Sequence, residues 1–249
     1  HTLIILDLRY NVFVSINNLV NELNSLKDPD RARSFARFFK SGPGQYGEGD
    51  QFLGIMVPTV RKLVAKYYRQ LELADVTQLL ASPYHETRLL ALLVLVKKYQ
   101  NTKSDEEKKE LYEYYLNHRG GINNWDLVDV TTPQLVGDYL LTHQRDILYD
   151  LAHSNNLWER RISIMATFAF IRAGEYADTL KLSKILLNDS HDLIHKAVGW
   201  MLRELGKKDN SALTKFLDTH ASTMPRTMLR YAIEKLPETQ RKYYLSKKA

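Results

Sequence analysis

The chain has 249 residues, 44% of them hydrophobic and 26% charged, which suits a globular protein large enough to bury a substantial core. It has no cysteine, which excludes disulfides, thiolate metal sites and cysteine nucleophiles and leaves a reducing cytoplasm as the expected location. The formal charge of +6 favours a polyanionic partner without naming one. In chain order, residues 1–11 are set apart as a tail of unassigned role. Their run Leu3, Ile4, Ile5, Leu6 is far too short to span a bilayer, the pattern of a secretory signal is missing, and no transmembrane segment is expected anywhere in the chain. From residue 12 to 249 nearly every segment carries helical period, and this stretch is read as one repeat domain.

Ile16, Leu19, Val20 and Leu23 form an apolar stripe at i, i+3, i+4, i+7. Asp28-Pro29 opens a second helix that carries Phe35, Phe38 and Phe39. The segment 41–50 follows, with four glycines and a proline that forbid regular structure. Pro58 sits well at the first position of a helix over 58–68. Further helices are predicted over 74–81, 84–99, 105–117, a short one around Trp125, and 133–141. The last third adds 145–152, 157–172, 177–187, 192–205, 210–220, 225–236 and 237–245. Alternation of the β type is nowhere sustained, so the predicted class is all-α.

The helices repeat. Glu86-Thr87-Arg88, Glu159-Arg160-Arg161, Ile194-His195-Lys196 and the helix from Arg226 through Arg230 each place a basic residue in the first turns of an apolar helix that follows a shorter amphipathic one. The last three recur at roughly 35 residues, close to the period of HEAT-like units. Stacked pairs of this kind predict a helical-repeat solenoid whose second helices line a concave basic face. The plainer alternative is that each basic side chain snorkels at a helix end.

Eight histidines lack any ligand spacing that would favour a metal, and the glycines of 42–49 lack the strand and the Gly-Lys-Ser/Thr ending of a phosphate-binding loop. That segment is read as a flexible loop, with a plain connector equally open. Trp125, Trp158 and Trp200 fall near repeat starts or on second helices, where core packing is the default reading. Trp125 and Asp129, four residues apart on a short helix capped by Asn123 or Asn124, project from one face. Asp129 lies among Leu127, Val128 and Val130, where a lone carboxylate needs a partner, unless it caps a helix beginning at Thr131-Thr132-Pro133. Arg160-Arg161 opens an otherwise apolar helix and suits an anion or a carboxylate. Asp126 is expected to serve the helix N-terminus, where negative charge is favoured.

Four motifs in register carry a resemblance: Phe52-Leu53-Gly54-Ile55 with Pro58 and Arg61; Trp125-Asp126 with Asp129; Leu157-Trp158 with Arg161; and Lys196-Ala197-Val198-Gly199-Trp200 with Leu202-Arg203-Glu204. From about Phe35 to its C-terminus the chain resembles the DNA alkylation repair glycosylases of the AlkD family, which are HEAT-like helical solenoids. The resemblance implies release of cationic N3- or N7-alkylated purines from duplex DNA without flipping the base into a pocket. It implies Asp129 as the catalytic carboxylate, Trp125 and Trp200 as the aromatics that flank the lesion, and Arg161 as the holder of the DNA backbone. Phe38 stands where characterised members carry a tyrosine near the DNA, and the 42–50 loop is longer than theirs.

With Arg161 and Phe38, the recurring residues Arg88, Lys196, Arg226 and Arg230 complete the expected DNA contacts. The partner is double-stranded DNA carrying alkylated bases, no cofactor is called for, and a monomer is expected. Two alternatives remain: a non-catalytic HEAT-like binder of distorted DNA, and a protein adaptor, which the recurring basic residues disfavour.

Overall fold

The structure, a computed structural model, describes residues 16–247. Over these residues the chain is an all-α helical-repeat fold, and its one β feature is an isolated bridge between Gln51 and Tyr84. No helix among the described residues is long and apolar enough to cross a membrane. The chain divides into two compact units between Leu127 and Val128.

In the first unit, α1 covers 16–25, with Ile16, Leu19 and Leu23 of the predicted stripe buried; residues 12–15 of the expected helix lie outside the described residues. The following helices are α2 (Pro29–Phe38), α3 (Val57–Tyr67), α4 (Leu73–Leu80), α5 (His85–Asn101) and α6 (Asp105–Asn117). Asp28 caps α2 by accepting the Arg31 N–H at 2.9 Å, as an Asp-Pro start dictates. Helix α5 is buried on every side from His85 to Val96 because α3 and α4 both pack on it, so its apolar residues need no single stripe.

The division falls inside α7 (Trp125–Thr132). After it come α8 (Asp146–Ala152), α9 (Leu157–Ala173), α10 (Ala177–Ile185), α11 (Asp192–Lys208), α12 (Asn210–His220), α13 (Arg226–Ala232) and α14 (Glu238–Ser246). Helix α9 packs on α8, α10 and α11, and α11 also packs on α13. Helix α13 ends at Ala232, short of the predicted residue 236.

The separate helix expected over 133–141 is not found. Pro133–Gly137 instead forms a π-helical turn that continues α7. Pro133 has no N–H to give the preceding turn, and the widened turn takes up its ring without ending the helix. Gly137 sits against α9 so closely that an added Cβ would lie 2.3 Å from the Ala166 carbonyl oxygen. Gly137→Ala is therefore expected to destabilise the protein by about 1–3 kcal/mol through overpacking, read as a lower urea midpoint at unchanged m-value.

The repeat has a physical signature. The fourth residue of α5, α9 and α11 reaches back six residues to close the turn before its own helix. Arg88 Nη1 donates to the Ser82 carbonyl at 2.9 Å, Arg160 Nη1 to the Ser154 carbonyl at 2.9 Å, and His195 Nε2 to the Asp189 carbonyl. The two arginines each add a carboxylate partner, Asp50 at 2.7 Å for Arg88 and Asp189 at 2.6 Å for Arg160. The equivalent of Arg88 is therefore Arg160 and His195, one residue earlier than Arg161 and Lys196, with which the sequence pattern aligned it. At this position the repeating basic residue is a staple for the interhelical turn.

Candidate active site

In the first unit the site residues gather on Trp125. Asn124 is buried, and its Oδ1 accepts the Trp125 backbone N–H at 2.9 Å while its Nδ2 donates to Asp50 Oδ2 at 3.0 Å. Of the two expected caps it is the one that engages the helix start. The Trp125 indole is half-buried and donates from Nε1 to the Tyr46 hydroxyl at 3.3 Å. It stacks on Phe39 at 5.3 Å between ring centroids and meets Phe38 edge-on at 5.9 Å. Phe38 is 63% exposed, a high value for a large apolar ring. Trp125 and Phe38 are thus brought together. The glycine-rich segment is more than a connector, since it delivers Tyr46. Its Gly47 lies so near the Phe39 carbonyl oxygen that a Cβ would come within 2.6 Å.

Beneath Trp125 lies a buried ionic network that sequence reasoning missed. His85 is held between Asp50, 3.4 Å from Nδ1, and Asp126, 2.8 Å from Nε2. The Arg88 guanidinium adds Asp50 Oδ1 at 2.7 Å and the Asn123 side-chain oxygen at 3.0 Å. Burial would raise the Asp50 carboxyl, but the His85 hydrogen bond, the Arg88 charge and Asn124 hold it below its ordinary 3.8. Two expectations are corrected here. Asp126, although in the first turn of α7, pairs with His85 rather than serving the helix end. Arg88 is 5% exposed with its donors turned inward, so a surface phosphate contact is not its place.

The neighbouring Glu86 explains the Phe52–Ile55 motif, for its buried carboxylate accepts the backbone N–H groups of Leu53, Gly54 and Ile55 at 2.8–3.2 Å. Gly54 is required there. Its φ is +78°, and a Cβ would lie 2.2 Å from the Asp28 carbonyl oxygen. The available clue was His85-Glu86-Thr87-Arg88 itself, four polar residues leading directly into a buried apolar run.

In the second unit no helix begins at Thr131, which lies within α7, so the expected cap position at Asp129 is not a helix start. Asp129 meets Arg161 in a two-pronged ion pair, Nε to Oδ1 and Nη2 to Oδ2 both at 2.8 Å, with side-chain exposures of only 10% and 5%. Arg161 Nη1 donates to the Leu193 carbonyl in the first turn of α11. The planar guanidinium matches the carboxylate fork, so the pair fixes Asp129 in orientation as well as charge. Trp200 stands two turns beyond Leu193 on α11, a rise of about 10 Å. It is half-buried, donates from Nε1 to Glu204 Oε1 at 3.1 Å, and lies 6.0 Å from the Phe168 ring.

Trp158, by contrast, is 8% exposed and belongs to the core. Lys196 is part-exposed and pairs with Asp192 at 2.6 Å. Arg226 and Arg230 are exposed, the former donating to the Leu245 carbonyl at 2.8 Å. Asp129 and Arg161 are brought together, whereas Lys196, Arg226 and Arg230 are spread over α11 and α13.

A sequence model of the DNA alkylation repair enzyme family matches residues 19–236. Among solved structures, a "Predicted DNA alkylation repair enzyme from Enterococcus faecalis" shares the fold at a TM-score of 0.66 and 18% identity, covering 85% of this chain and 97% of its own. No curated protein matches the chain. By the family match over most of its length, the chain belongs to the DNA alkylation repair enzymes.

Proposed function

We propose that the chain is a monofunctional glycosylase that releases cationic N3- and N7-alkylated purines from duplex DNA. One observation carries the reading: a DNA alkylation repair enzyme holds a nearly buried carboxylate, Asp129, in a fixed orientation against Arg161. A purine alkylated at N3 or N7 bears a positive charge. When its C1′–N9 bond breaks, the electron pair leaves with the base and neutralises it, so no acid is needed at the leaving group. Positive charge then develops on the sugar as an oxocarbenium ion. Asp129 stabilises that charge and accepts a hydrogen bond from the water that adds to C1′, whose proton passes to solvent.

Trp125 and Trp200 are only half-buried, and aromatic faces stabilise cations. Arg161 spends three of its five N–H groups on Asp129 and Leu193 and is only 5% exposed, so in this reading it orients the carboxylate rather than reaching for the DNA backbone. Phe38, the part-exposed Lys196 and the exposed Arg226 and Arg230 supply the DNA contacts in this reading, and binding through such cations weakens with salt. Because the chemistry relies on the charge of the lesion, duplexes carrying 7-methylguanine or 3-methyladenine are expected to yield free base, while hypoxanthine, a neutral lesion, stays in place. Chromatography of the released bases decides it, and comparable release of hypoxanthine would contradict the mechanism.

A further inference from the structure

We propose that His85 is a positioning residue for Trp125, acting as a doubly hydrogen-bonded imidazolium that locks the glycine-rich segment onto the start of α7. Its place in catalysis rests on the glycosylase reading; its effect on the Trp125 indole does not. His85 is 2% exposed. Both of its ring nitrogens face carboxylate oxygens, Asp50 at 3.4 Å and Asp126 at 2.8 Å. A carboxylate oxygen only accepts, so both nitrogens carry hydrogen when both contacts are made.

From this ring two short routes lead to Trp125. In one, His85 lies against Phe39 at 4.8 Å, and Phe39 stacks on the indole. In the other, Asp50 accepts from Asn124, whose side-chain oxygen accepts the Trp125 N–H. Asp50 also closes the segment whose Tyr46 hydroxyl receives the indole N–H. His85 therefore secures both the ring beneath Trp125 and the loop beside it.

The charged groups around His85 are few. Asp50 faces it from the glycine-rich segment, Asp126 from α7 and Arg88 from its own helix, with Glu86 turned away to the Leu53–Ile55 amides. Phe39 and Phe52 fill the remaining sides. Burial alone would lower the imidazole, but the hydrogen bonds to Asp126 and Asp50 outweigh it and raise the group from 6.5 to about 9. A raised value places the stabilising contribution below about pH 6.5 and removes it as pH climbs through about 9. Neutral His85 has one N–H for two carboxylates, so one of its two ties is lost and Trp125 loosens.

The test has two arms on the full-length protein. Trp125 emission, obtained by difference from Trp125→Phe, is expected to change with a midpoint near pH 9 in the wild type and to lose that transition in His85→Gln. In single-turnover assays on duplex DNA containing 7-methylguanine, His85→Gln is expected to slow base release on the order of ten- to a hundred-fold while duplex affinity changes little, the mark of a displaced group. The wild-type rate should decline through the same pH range, and the residual rate of the variant should not.

A Trp125 transition that persists in His85→Gln, or a wild-type emission flat from pH 7 to 10, overturns the proposal. If the variant does not fold, the wild-type titration is compared with Tyr46→Phe: a transition that survives this change supports His85, and one that vanishes belongs to the tyrosine and overturns the proposal. Absence of base release by the wild type would refute the glycosylase reading alone, and the emission arm would still decide on His85.

Discussion

Arg161→Ala is expected to cost about 3–5 kcal/mol of folding stability, among the largest effects of any single substitution in this chain. The reason is the asymmetry between a buried ion pair and its broken half. With side chains 5% and 10% exposed, the guanidinium and the Asp129 carboxylate are nearly out of water, and each is the other's compensation. Removing the guanidinium leaves the Asp129 carboxylate with little solvent and deletes the Nη1 hydrogen bond to the Leu193 carbonyl. Urea unfolding measures the loss directly. Arg161→Lys retains the charge but cannot span both carboxylate oxygens in one plane, so it is expected to fall between wild type and alanine. An Arg161→Ala protein as stable as the wild type would mean that the pair is not formed in solution.

Asp129→Asn is expected to slow base release by about 10²–10³-fold, the range typical of losing one well-placed electrostatic group. Asparagine has nearly the same shape and keeps one oxygen toward Arg161, so the fold survives with a smaller penalty than Arg161→Ala. In the proposed mechanism, what it removes is the negative charge that meets the developing oxocarbenium ion. Duplex affinity should hold or rise slightly, because a negative charge near DNA has been deleted. The effect expected therefore falls on the chemical step and spares binding, which separates it from loss of a DNA contact such as the one proposed for Arg230.

Much of this was readable from period and punctuation. Asp28-Pro29 opens α2, residues 105–117 and 210–220 match α6 and α12 to the residue, and the unbroken apolar run from Leu89 to Val96 is the buried helix it resembles. The family resemblance grouped Asp129 with Arg161, and the two side chains form an ion pair. What escaped was long-range pairing. Arg88 looked like one member of a basic track because period alone cannot tell a side chain that points outward from one that folds back six residues to a carbonyl. Asp126 looked like a helix-end charge because its partner, His85, lies 41 positions away. Pro133 looked like a helix start because proline favours that position, and a π-helical turn that absorbs it leaves no mark in the pattern of apolar residues.

The division of labour between Asp129 and its surroundings is open to one direct measurement. Wild-type protein and Asp129→Asn, both shown to be folded, are mixed in excess with duplex DNA containing 7-methylguanine, and free 7-methylguanine is followed over time by chromatography. The glycosylase account predicts first-order release by the wild type and release at least about 10²-fold slower by the variant, with both proteins bound to the duplex. Equal release by the two proteins would remove Asp129 from the chemistry, and firm binding with no release by either would make the chain a DNA-binding protein without glycosylase activity.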